Sequence, residues 1–179
     1  MAGIARPTQT LYPGSSSLMT TDSIPEQFKA ILNLIIKASH EIITEKEELE
    51  PIVFLCKSDD ILPVVLDFPD EAGKDLSSRM IAQIAQKFRP EFTIFVSEAW
   101  VLKTDDASDI KRDKTQSLEH HPDRIDCVIY SLETKYGIWV GTSEIKKDVN
   151  KRTAGMPDFK KPDYATGRFV NLLVSDNVQ

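Results

Sequence analysis

The sequence has only seven glycines in 179 residues, and none of them cluster. A phosphate-cradling loop needs neighbouring glycines so that backbone N–H groups can close on the anion. Nucleotide-binding enzymes of that kind are therefore disfavoured. Cysteine is nearly missing: Cys56 and Cys127 stand alone, without a CxxC. That count builds no disulfide framework and fits a reducing compartment. There is no GxSxG elbow, and neither cysteine has a histidine arranged beside it by sequence. No run approaches the ~20 apolar residues that span a bilayer. The N-terminal stretch lacks the apolar region of a signal peptide. The expectation is a cytoplasmic chain that does not enter the membrane. The formal net charge of −6 argues against nucleic acid as the main partner.

What is present is an ordinary globular balance. Hydrophobic residues at 41% and charged residues at 28% suffice for a core, and 179 residues correspond to one domain. Residues 1–22 read as an extended or disordered arm, 23–148 as the folded domain, and 149–179 as a C-terminal extension. Ser23, Pro25 and Glu26 open a helix that the spacing of Phe28, Ile31, Leu32, Ile35, Ile36, Ile42 and Ile43 carries to about Glu48. Its apolar stripe is wide, because Leu34 adds to it. The runs 51–57 and 61–68 read as a hairpin turning at Ser58, Asp59 and Asp60. Pro63 removes a ladder donor and marks a free edge or a bulge. A second helix is predicted over 71–88, capped by Asp70 and stopped by Pro90, with Leu76, Met80, Ile81, Ile84, Ala85 and Phe88 as its apolar face. Residues 91–103 read as a long strand, 104–122 as a polar loop, and 124–132 with 138–145 as a second hairpin. A last strand is expected at 168–174. The order α-β-β-α-β-β-β, with two hairpins, predicts an α+β fold whose mostly antiparallel sheet carries both helices on one face.

One constellation carries a chemical reading. Pro122-Asp123 is followed about twenty residues later by Glu144-Ile145-Lys146. This is the formal pattern of metal-dependent PD-(D/E)xK nucleases: two carboxylates hold a hard cation, and a lysine stabilises charge on the attacked phosphate. Asp123, Glu144 and Lys146 are the catalytic candidates of that alternative. Against it, the stretch after the ExK holds Gly155, Pro157 and Pro162 and does not read as the helix such enzymes carry there. The run Glu119-His120-His121-Pro122-Asp123 offers imidazole and carboxylate, but no third ligand at a telling spacing. No metal or cofactor is expected. Charge is segregated: five glutamates and one lysine fall in 41–50, and seven basic residues against three acids in 146–168. The basic stretch supplies Lys147, Lys151 and Arg152 as binding candidates and a further alternative, a nucleic-acid-binding module.

The segments Ser97-Glu98-Ala99-Trp100 and His121-Pro122-Asp123-Arg124, with the hairpin through Glu133 and Glu144, resemble a pattern in small bacterial and phage proteins, in which a strand ending in SEAW is followed by a polar loop, a PDR-like turn and another strand. The resemblance covers roughly 91–146 and implies no particular activity. It draws attention to Glu98, Trp100 and Arg124 as binding residues, with Glu98 and Arg124 expected to form an ion pair at the loop's two ends. The leading expectation is a non-catalytic interaction protein of bacterial or phage type, with a protein partner or a homodimer formed through the first helix.

Overall fold

The computed structural model describes residues 23–45, 48–58, 60–67, 70–102, 121–149, 151–162, 169 and 171–173. The N-terminal arm, most of the 104–122 loop with Glu119 and His120, and most of the expected last strand lie outside the described residues. The elements run α1 (Glu26–Glu45), β1 (Ile52–Lys57), β2 (Asp60–Val65), α2 (Glu71–Phe88), β3 (Phe92–Leu102), β4 (Arg124–Thr134), β5 (Gly137–Asp148), β6 (Lys151–Ala154) and β7 (Asp158–Lys160). The expected α+β order holds through β5. The strands form one seven-stranded antiparallel sheet in the order β2-β1-β3-β4-β5-β6, with β7 pairing β5 beside β6.

Strand β1 is antiparallel to both β2 and β3. The latter two are therefore parallel, and α2 is the crossover that joins them over β1. This corrects the expectation of both helices on one face. In β1, Val53 and Leu55 pack with Ile81 and Ala85 of α2, whereas Cys56 packs with the α1 side chains. In β3, Phe95 joins the α2 cluster while Ile94 and Val96 join that of α1. Successive strand residues point to opposite faces, so the helices cover opposite faces. The double cover explains why nine consecutive residues of β3, Phe92 to Trp100, are buried.

Helix α1 begins at Glu26, and the Pro25 carbonyl accepts from the Phe28 N–H at 3.1 Å. Its stripe of Phe28, Leu32, Ile35, Ile36 and Ile43 is buried on the sheet, and Leu34 stays exposed. Helix α2 is capped as read: the Asp70 carboxylate accepts from Gly73 N–H at 2.7 Å, and Arg89 ends the helix at φ 54°. Its apolar face differs from expectation, because Ile81 and Ala85 are buried while Leu76 and Met80 are 61% and 54% exposed.

Strand β2 is an edge, as Pro63 implied. The Leu66 N–H donates to the Pro51 carbonyl at 2.8 Å. Alternation from that bond places Phe54 opposite Pro63 in a non-hydrogen-bonded pair, so the Pro63 nitrogen points outward. The free edge thus lacks its central donor. At the other side, 155–157 interrupt the partner of β5. Here Gly141 lies so close to the Phe159 ring that a Cβ would stand 2.6 Å from it. No strand is found at 169 or 171–173. Phe169 and Leu172 are instead buried in the α2 cluster.

Candidate functional site

Beyond the end of α1, its face of the sheet turns from apolar to charged. Strand alternation sets Glu98 and Trp100 of β3, Arg124 and Asp126 of β4, Lys147 of β5 and Arg152 of β6 on this face. Five of the six binding candidates therefore come together, and Asp126 joins them. Lys151 pairs with Asp148 on the opposite face.

Glu98 is the centre of this group and is 2% exposed. A buried carboxylate persists only when its oxygens are satisfied. One Glu98 oxygen accepts the Leu49 N–H at 2.8 Å, and the other meets the Arg152 guanidinium at 2.6 Å. The side chain thereby joins the segment after α1 to the short strand β6. The Arg124 guanidinium stands 5.1 Å from the centre of the Trp100 ring, within cation–π range, and its Nε lies 3.9 Å from Asp126. Asp126 also forms an ion pair with Lys147. The expected Glu98–Arg124 relationship is replaced by these partners. Register sets Arg124 opposite Leu102, four residues along the strand from Glu98.

The nuclease candidates do not converge in this way. Glu144 stands opposite Cys127. Asp123 precedes Arg124, which lies three strand residues further along, about 10 Å at the usual rise. Glu144 and Lys146 do share a face and are exposed, as alternation predicts. Among the described residues no three His, Cys, Asp or Glu side chains group so as to hold a metal ion.

The cysteines are poor nucleophiles. Burial pushes the Cys56 thiol up to about 12. Burial, with the nearby Asp126 and Glu98 charges, does the same to Cys127. Cys127 donates weakly to the Ala99 carbonyl at 3.5 Å. An open groove of about 540 Å³ runs beside α1, lined by Lys37, His40, Glu41, Glu45 and Met156 among others. Desolvation holds the His40 imidazole below its ordinary value.

Two participants, Asp126 and Glu133, were not among the binding candidates from the sequence. Asp126 sits in an alternating strand run, where its partner Lys147 could have been found by counting register. Glu133 falls between the two predicted strands of the second hairpin. It is a buried residue of β4 that accepts the N–H groups of Leu172 and Leu173 at 3.0 and 3.2 Å. No local signal links residues nearly forty positions apart.

The architecture defines an α+β antiparallel sheet with one helix on each face and a charged cluster at one end. Comparison with protein-family models, with curated proteins and with solved structures finds no match to the chain. Among the described residues no helix is long and apolar enough to cross a membrane.

Proposed function

We propose that this chain is a non-catalytic interaction protein of bacterial or phage type, which meets a protein partner on the side formed by β2 and α2. The observation that carries this reading is the exposure of large apolar side chains on these two consecutive elements: Leu62 on the face of β2 that α2 covers, with Leu76 and Met80 on α2, and Ile61 and Val65 on the other face of the same edge strand. Apolar side chains left on the surface in number mark contact sites. The missing donor at Pro63 favours contact through side chains over extension of the sheet. The apolar stripe of α1 is buried in the chain's own core, so a homodimer formed through α1 would rest on Leu34. The charged cluster supports a structural role, since its carboxylates are engaged within the chain. Two free, buried thiols fit a cytoplasmic setting.

The test is association in solution. Light scattering over a concentration series, and cross-linking with partners at native concentration, are compared for the unmodified chain and Leu62→Lys/Leu76→Lys. The paired lysines are expected to abolish association while leaving the fold unchanged by circular dichroism. A Mg²⁺-dependent cleavage of DNA that Glu144→Ala removes would overturn this reading in favour of the nuclease. A low-salt mobility shift lost on replacing Lys146 and Lys151 would favour the nucleic-acid module.

A further inference from the structure

Phe169 and residues 171–173 belong to neither helix nor strand, and among the described residues no backbone–backbone hydrogen bond ties them to the sheet. They are held by side chains of the face that α2 covers. The Phe169 ring stacks on Phe95 with centroids 5.1 Å apart and planes at 21°. Leu172 is buried in the cluster that contains Val53, Leu55 and Ile81. Between them Asn171 adopts φ 60°, a left-handed turn that asparagine tolerates. Just beyond it, the amides of Leu172 and Leu173 both reach the Glu133 carboxylate, one oxygen each, at 3.0 and 3.2 Å.

This is the chemistry of a peptide receptor. A carboxylate buried on a rigid central strand and accepting two successive N–H groups recognises backbone rather than any one side chain. The apolar contacts on either side of the turn select an aromatic residue and, three positions later, a leucine. The residue before the leucine must accept a left-handed conformation. The required pattern is therefore Phe-x-Asn-Leu, which this chain carries at 169–172. Without such a segment, Glu133 would keep a charge with two hydrogen bonds lost, and Phe95 would lose its aromatic cover. The site thus favours occupation by any segment of the same chemistry.

We infer that Glu133 and the Phe95 side of the sheet form a peptide-binding site that takes the 169–173 segment of a second copy as well as its own. Among the described residues, the ties named above run through side chains and the Glu133 carboxylate, so the segment can leave without breaking a strand ladder. The site is separate from the β2–α2 surface, and either proposal can fail alone.

The experiment pairs two full-length variants. Glu133→Ala has an intact tail and a broken site. Phe169→Ala/Leu172→Ala has an intact site and a broken tail. Each alone is expected to resist exchange, whereas their mixture forms a heteromer by light scattering. A labelled peptide of residues 167–175 is expected to bind the tail-broken chain about tenfold more tightly than the unmodified chain, whose own tail competes. No heteromer together with no peptide binding would overturn the inference. A measurement on the unmodified chain covers the case in which a variant does not fold. Amides of Leu172 and Leu173 should exchange hydrogen about a hundredfold faster than those of Val96 and Tyr130. Equal protection would show that the segment leaves only on global unfolding, and would also overturn the inference.

Discussion

Replacing Glu98 by alanine tests the charged cluster most directly. The substitution removes a carboxylate that is 2% exposed and engaged at 2.8 Å by Leu49 N–H and at 2.6 Å by Arg152. The Arg152 side chain is itself only 15% exposed. Taking one partner from a buried ion pair costs about 3–5 kcal/mol, because the other charge keeps its desolvation penalty. Against a total stability of about 5–15 kcal/mol this is a large fraction. At about 2–4 °C per kcal/mol for a chain of this size, the midpoint of thermal unfolding should fall by roughly 6–20 °C. A second variant separates the two roles of the carboxylate. In Glu98→Leu/Arg152→Met both charges are gone and the volume is largely kept, so most of the loss should be recovered. The Leu49 N–H still lacks its acceptor, leaving a deficit of about 1–3 kcal/mol. Urea unfolding of the wild type, both single variants and the double variant gives the coupling directly. A loss below about 1 kcal/mol for Glu98→Ala, the level of an exposed pair, would refute the view that this carboxylate ties β6 and the post-helix segment to the sheet.

Four further outcomes follow from the packing and the titrating groups. Gly141→Ala places a methyl 2.6 Å from the Phe159 ring and should cost about 1–3 kcal/mol in urea unfolding; in a Phe159→Ala background most of that cost should disappear. Cys56 and Cys127 are buried and held up to about 12, so a thiol reagent at mildly alkaline pH should modify them only at the rate of unfolding; fast modification in the folded chain would contradict their burial. Their folded values lie above the unfolded value of 9.0, so their contribution is intact below that value and is lost as pH rises from about 9 to about 12. His40 has the opposite sense: desolvation lowers its folded value below 6.5, so stability present above 6.5 declines as pH falls below it, and His40→Gln should flatten that limb of the stability profile.

How far the fold was legible depended on whether the cause was local. The α2 boundaries could be read because Asp70 caps one end and the chain breaks before Pro90, both effects of neighbouring residues. The edge position of β2 could be read because a proline without an N–H has few places in a sheet. The placement of the helices could not be read from strand order alone, although the unbroken apolar run of β3 carried a signal: a strand covered on one face alternates, and this one does not. Leu76 and Met80 were assigned to the α2 core because helical spacing shows that a stripe exists but not where the sheet ends beneath it. In the charged cluster, the sequence pointed to Glu98, Trp100, Arg124, Lys147 and Arg152. How they pair, and the place of Asp126 among them, came from register and from β6, a four-residue strand too short to announce itself. Glu133 and the 169–173 segment meet only after the whole sheet is assembled.

The two borders of the sheet bear on how copies of the chain can combine. At β2 the outward row of donors is broken by Pro63, and on the far side β6 and β7 are separated by 155–157. Strand-by-strand accretion, the route by which soluble sheets become fibres, meets a gap at either border. Crowded chains should therefore form discrete, reversible assemblies rather than open-ended ones. Pro63→Val would remove one of those gaps, and the same molecule should then show a lower threshold for irreversible deposition.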